Sequence, residues 1–353
     1  MEHNNYRLTQ LASSAGWAGK LSQSELSSIL SKLSHVNHND ENILLDHKTG
    51  DDAAIYKIDE RLSLVLTLDF FAPIVDDGFI YGEIAAANAL SDIYAVGGKP
   101  SIALNIAAFP RDLPTEIISS ILEGGMSKVK EANTAIVGGH TIEDKEPKYG
   151  MAITGFINTG EQITNTQAMT GDILILTKPI GTGIITTALR NNKDLLDQEY
   201  LDNAIDSMTQ LNNIASKAMN LFQVKSATDI TGFGLLGHLH KMMIESKQSA
   251  IISENKVPIL KGAKELVEKN ICPGGTTRNL EYVKDYVEFS KDLTMEHKKL
   301  LADPQTSGGI LMSVKESKVN QLSNYLNDNG LTGHKVIGEI TDKKDSTIKV
   351  STI

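Results

Sequence analysis

The chain is poor in the residues that several common chemistries need. It has one cysteine, Cys272, so no internal disulfide can form and no zinc centre can be assembled from thiolates. Its nine histidines are scattered, with no HxxxH or HExxH spacing. No apolar run approaches the ~20 residues of a membrane span. The opening Met1-Glu2-His3-Asn4-Asn5 is not the basic-then-apolar start of an export signal. With a lone thiol, no span and no signal, the expected compartment is a reducing cytoplasm. Positive charge is in deficit: a formal net charge of −10 argues against nucleic acid or an anionic membrane held by bulk electrostatics. The phosphate-binding signature GxxxxGK[ST] is absent as well. An acidic chain can still hold phosphates where metal ions bridge them.

What is present is a soluble globular composition, 41% hydrophobic, over 353 residues, a length that favours two domains. Residues 1–48 are polar, with Ser13-Ser14, Gly16 and Gly19 marking a flexible loop before a short helix at roughly Ser22–Leu33. The segment reads as a tail, a linker or a mobile lid. Residues 49–157 form a first domain. Thr49-Gly50-Asp51-Asp52 turns into a strand, and Leu62–Leu68 is a buried strand ending at Asp69. An apolar helix over Ile84–Val96 is stopped by Gly97-Gly98 and Pro100. There follow a strand at Ser101–Ala108, a helix at Pro114–Lys130, a short strand at Thr134–Val137 stopping at Gly138-Gly139-His140, and a strand at Tyr149–Ile157. This alternation predicts an α/β or α+β domain with a largely covered sheet. Residues 158–353 form a second α/β domain, the boundary lying within 156–171. It holds one long amphipathic helix over Leu201–Leu221 and a Gly-rich turn at Ala227–Gly234 that opens another helix. Asp303–Gly309 precedes a strand at Ile310–Val314; a helix near Val319–Asn327 and a strand near Val336–Ile340 follow.

Four acidic residues share a setting. Asp52, Asp69, Asp92 and Asp229 each lie at or near the end of an apolar element, where α/β proteins place ligands. Asn88 and Asp92, four apart on the apolar helix, project from one face. A carboxylate there is costly unless paired or metal-bound. A set of Asp with no Cys or His partners suits magnesium and a nucleotide; the alternative is that each is a cap or turn former. Gly138-Gly139-His140-Thr141 is either a backbone cradle for phosphate or a tight turn needing positive φ. Gly181-Thr182-Gly183 is only a GxG. Lys20 is either a solvated charge or, carried by its loop, a cation able to neutralise charge in phosphoryl transfer. His140 and His238 read as hydrogen-bonded structural histidines, and Cys272 as a packed side chain.

In their order along the chain, Arg7–Gln10, Gly16–Lys20, Asp51–Ala54, Asp69–Asp76, Asn88–Pro100, Gly138–His140, Asp229–His238 and Asp303–Gly309 resemble the selenophosphate synthetase (selenide, water dikinase) family over nearly the whole length. The resemblance implies a two-domain fold like that of aminoimidazole ribonucleotide synthetase, paired through its N-terminal domains in a homodimer with a barrel-like core. It implies a reaction in which ATP, hydrogen selenide and water give selenophosphate, AMP and phosphate. By match of motif, Asp52, Asp92 and Asp229 hold Mg²⁺ and Asp69 helps bind ATP. Thr49, Gly50, Asp51, Gly139, His140 and Thr141 line the nucleotide site. Lys20 is the catalytic lysine, on a loop that closes over the phosphates. The chain departs from the pattern at Trp17, where the family carries cysteine or selenocysteine. Indole has no ionisable nucleophile. Either Trp17 stands at a natural selenocysteine position, since UGA is read as tryptophan in some genetic codes, or it is a genuine tryptophan in a nucleotide-binding, selenide-inactive relative.

Overall fold

The computed structural model describes residues 7–13, 16, 29, 40–46 and 52–352. Trp17, Lys20, Thr49, Gly50 and Asp51, and all but Ile29 of the helix expected at Ser22–Leu33, lie outside the described residues. Among the described residues no helix is long and apolar enough to cross a membrane.

The first six strands are β1 (Ile43–Leu45), β2 (Ala54–Lys57), β3 (Leu62–Phe71), β4 (Lys99–Phe109), β5 (Ala135–Glu143) and β6 (Lys148–Asn158), in the sheet order β1-β2-β3-β6-β4-β5. β3 does not end at Asp69: it runs on to Phe71, with Asp69 opposite Met151 of β6. Alternation along β3 puts Ser63, Val65, Thr67, Asp69 and Phe71 on one face. That face is covered by α1 (Gly78–Ala95), which α2 (Thr115–Glu131) crosses.

The opposite face carries Leu66, Leu68 and Phe70, aligned through β6 with Ile102 and Leu104 of β4, and these five side chains are 39–55% exposed. The expectation of a largely covered sheet therefore holds for one face only. A run apolar on both faces states that both are buried somewhere, not that one chain does the burying.

The expected turn at Gly138-Gly139-His140 is also corrected. β5 continues through it to Glu143, parallel to β4, with a register shift at Ala103/Leu104. A Cβ at Gly139 would lie 2.4 Å from the Asn105 carbonyl oxygen, so this glycine serves close strand approach beside a bulge.

α1 starts at Asp77, whose Oδ1 accepts from the Ile80 amide at 2.9 Å. Its Ala-rich body sits between the sheet and the second domain and is buried from Ile84 to Ala95. Glycines bring α2 close: a Cβ at Gly82 or Gly124 would lie 1.9 Å from the carbonyl oxygen of Ile121 or Phe79.

The second domain is a mixed sheet of β7 (Asp172–Leu176), β8 (Ser226–Asp229), β9 (Ser249–Ser253), β10 (Val287–Phe289), β11 (Ile310–Lys315), β12 (Lys335–Thr341) and β13 (Ile348–Ser351), ordered β10-β13-β9-β12-β7-β11-β8. Three of its helices face the first domain's flank or lead to it: α3 (Thr182–Asn191), α4 (Gln198–Thr209) and α5 (Asn213–Phe222). The single helix expected over Leu201–Leu221 is thus two. The chain is extended at Gln210, and Asn212 turns inward to donate to Ser91 Oγ and the Gly308 carbonyl, both at 2.9 Å. Contacts remote in sequence outweigh an unbroken amphipathic period. Gly124→Ala should destabilise the fold by about 3 kcal/mol, since backbone must move to admit the methyl; denaturant titration with an unchanged midpoint would show that α1 and α2 can separate freely.

Candidate active site

The inward face of β3 and one face of α1 meet end to end with β8. Thr67 and Asp69 come from β3, Asn88, Ser91 and Asp92 from α1, and Asp229 from the end of β8. Asp52 precedes β2. The four carboxylates singled out in the sequence are brought together here. Asp92, 8% exposed, has its carboxyl pushed well above the ordinary range, first by burial and then by the charges of Asp69, Asp229 and Asp52.

Each carboxylate accepts from a neutral donor: Asp92 from Thr67 Oγ1, Asp69 from Asn88 Nδ2 at 2.9 Å, Asp229 from Ser91 Oγ at 2.6 Å, and Asp52 from Thr228 Oγ1 at 3.0 Å. His238 is hydrogen-bonded as expected. The Thr231 amide donates to its Nε2 at 3.2 Å, and its Nδ1 lies 3.5 Å from the Thr228 hydroxyl that serves Asp52.

Behind this cluster runs a second layer that the sequence reading missed. Asn88 Oδ1 accepts from the Ser307 amide at 3.0 Å, while Lys178 Nζ donates to the carbonyls of Ser307 at 2.9 Å and Gln210 at 2.6 Å. Lys178 is 1% exposed, and burial pulls its ammonium down to about 7 although the Asp229 charge acts to raise it. Ser307 holds φ +50°, a left-handed conformation uncommon outside glycine, which lets its amide and carbonyl serve these two partners. A lysine following an apolar strand and preceding Pro179-Ile180-Gly181 was the available signal for Lys178.

Gly16 lies against the same loop. A Cβ there would meet Ile74 Cγ2 at 2.4 Å and Thr306 Oγ1 at 2.9 Å, and its φ is +48°. The chain therefore enters residues 17–20 one residue away from the Ser307–Asn88–Asp69 relay.

The remaining expected residues are placed elsewhere. Gly139, His140 and Thr141 are exposed on the edge strand β5, three strands over from β3, opposite Asn105, Ile106 and Ala107.

The donor set is chemically suited to a hard divalent cation: carboxylate oxygens only, drawn from four places in the chain, with one of them driven toward its neutral form by burial and then by the charges of the other three. Among the described residues no three of these groups close on one point as a ready-made chelate. Each instead accepts from its hydroxyl or amide donor, a neutral partner that orients the carboxylate.

Asp92→Asn should retain the bond from Thr67 and remove the repulsion. It should raise the stability of the ligand-free protein, by on the order of 1 kcal/mol, and abolish its thermal stabilisation by divalent metal with nucleotide. A ligand-free variant that melts earlier, or one still stabilised by metal and nucleotide, would show that Asp92 is a structural charge.

Comparisons with known proteins bear on the family and the fold. The family profile "AIR synthase related protein, N-terminal domain" matches residues 50–157, and "AIR synthase related protein, C-terminal domain" matches residues 170–351. Relatives named selenide, water dikinase include one from Clostridioides difficile (strain 630), 42% identical over 99% of this chain and all of that one. Another, from Carboxydothermus hydrogenoformans, is 43% identical over 97% of this chain and 98% of its own. Among solved structures, AaThiL complexed with AMPPCP and TMP superposes with a TM-score of 0.69 at 16% identity over 94% of both chains. Escherichia coli HypE superposes with a TM-score of 0.64 at 17% identity, covering 92% of this chain and 93% of that one. At such identities these two speak for the fold alone, the two-domain α/β fold expected from the sequence. With relatives above 40% identical from end to end, the chain belongs to the selenide, water dikinase family.

Proposed function

We propose that this chain makes selenophosphate from hydrogen selenide, water and ATP, releasing AMP and phosphate. The observation that carries the reading is the convergence of Asp52, Asp69, Asp92 and Asp229 beside the point where the N-terminal segment meets the Thr306-Ser307 loop. Relatives of the same length bear the name of that activity.

In this reading Asp52, Asp92 and Asp229 would hold Mg²⁺, which would offset the charge of the phosphates. Asp69, fixed by Asn88, helps to hold ATP, and Thr49, Gly50 and Asp51 line the nucleotide at the entry to β2. Lys20 is four residues beyond Gly16, and four residues of extended chain span at most about 14 Å. In this reading its ammonium meets the phosphates and stabilises charge as it develops in transfer. A segment that covers the site also keeps water from the reacting phosphate and oxygen from the selenide. Trp17 stands at the selenocysteine position, the group that handles selenium there being a selenolate.

Gly139, His140 and Thr141 stand on the edge strand β5, three strands from the Asp69 strand β3. They fit a nucleotide shared with a second copy. The open apolar face over Leu66, Leu68, Phe70, Ile102 and Leu104 is where that copy docks, giving a homodimer whose sheets join.

Four measurements test these statements. The Trp17→Cys form, or protein with selenocysteine restored at 17, should form AMP only when selenide is present; no AMP would remove the enzyme reading, and a native protein whose mass fits tryptophan would end the recoding. In that active form Lys20→Ala should lower kcat by about 100-fold or more with ATP binding little changed, whereas unchanged turnover would reject the role of Lys20. Leu68→Glu with Leu104→Glu should give monomers in sedimentation; persistent dimers would place the contact elsewhere.

A further inference from the structure

We propose that Asp76 is a positioning residue: it fixes residues 7–13 as a stem across both domains and so sets the point, at Gly16, from which Trp17–Lys20 departs. The proposal rests on the reading of Trp17–Lys20 as the catalytic segment and adds to it what holds that segment in place.

Leu8–Gln10 forms one 3₁₀ turn, with Leu8 and Thr9 buried to 1% and 0% exposure. Asp76 is in the first domain, just ahead of the cap of α1. Its Oδ1 accepts from the Thr9 amide at 3.0 Å and from Thr9 Oγ1 at 2.6 Å, and its Oδ2 accepts from Arg7 Nε at 3.1 Å. As an ion pair alone this contact is partly exposed and worth little. Three directional bonds onto one carboxylate, with the turn between them buried, are a different matter, because they fix orientation as well as distance.

The same turn is tied to the second domain. Arg7 Nη2 donates to the Leu189 carbonyl at 2.7 Å and Gln10 Nε2 to the Arg190 carbonyl at 2.7 Å, while the Arg190 guanidinium returns a bond to the Ala12 carbonyl. Leu189 and Arg190 end α3, where carbonyls have no partner within the helix. The stem supplies two of the missing donors.

The other end of α3 is held by the loop behind the acidic cluster. Gln305 Oε1 accepts from the Gly181 and Thr182 amides at 2.9 and 3.1 Å, and Asp303 Oδ2 accepts from the Gly183 amide at 3.0 Å. One helix thus has the stem at its C-terminus and the loop that holds Asn88 at its N-terminus. Past the stem, the Gly16 amide donates to the Ala72 carbonyl at 3.1 Å, and no side chain fits at that position. A terminus that was merely tidied away would have no need of attachment to both domains or of contact with Thr306.

Two readouts test this. Trp17 is the chain's only tryptophan, so all tryptophan emission reports on the residue joined to Gly16. In the chain with tryptophan at 17, Asp76→Ala and Thr9→Val should make that emission more accessible to acrylamide, and Thr9→Ser, which keeps the hydroxyl, should not. In the Trp17→Cys form, Asp76→Ala should lower kcat by about 10- to 100-fold, the effect of small misplacement, with Kd for ATP and the melting temperature nearly unchanged. Unaltered quenching in both Asp76→Ala and the milder Thr9→Val would overturn the proposal. So would a fall in kcat accompanied by a raised Kd and a lowered melting temperature, which would make Asp76 a general support of the fold. If the parent forms no AMP, the functional reading fails, and the quenching comparison still upholds or overturns the stem.

Discussion

Mutual repulsion among buried and half-buried carboxylates is the constraint around which this molecule is arranged. Asp92 sits on a helix buried along most of its length, and three further carboxylates act on its charge. Among the described residues each carboxylate accepts from a neutral hydroxyl or amide. Neutral donors orient a carboxylate without cancelling its charge. The carboxylates still repel one another, and a bound cation can offset that repulsion.

The donors are themselves positioned by the domain interface. Ser91 of α1 accepts from Asn212 and donates to Asp229, and Asn88 links Asp69 to Ser307. Lys178 then joins Ser307 to Gln210. Separating the domains would strand these polar groups in an apolar setting, a cost that exceeds the modest gain of each bond when formed. The site and the seam between domains are held by the same bonds.

Much of this was legible beforehand where the signal is local. The apolar run to Val96, the Gly97-Gly98 stop and the Asn88/Asp92 spacing gave α1 and its polar face, and the four Asp residues could be named. What was misread depends on remote partners. Gly138-Gly139 looks the same whether it makes a turn or admits a neighbouring strand, and only Asn105 decides it. The Leu201–Leu221 period runs through the break because Asn212 is drawn away by Ser91 and Gly308, residues of other elements. Lys178 reads as a surface lysine until the carbonyls that receive it are known. The leucines of β3 announced burial on both faces but not by whom.

The sheet's uncovered side has a bearing on biosynthesis. A first domain emerging ahead of the second already carries Leu66, Leu68, Phe70, Ile102 and Leu104 in register, and nothing later in the described chain comes to shield them. Until another surface arrives, that greasy wall is adhesive toward anything apolar in a crowded cell. Substitutions there are filtered for avoiding clumping as much as for folding, so positions that look free on one isolated chain are under a pressure that its own interior does not explain.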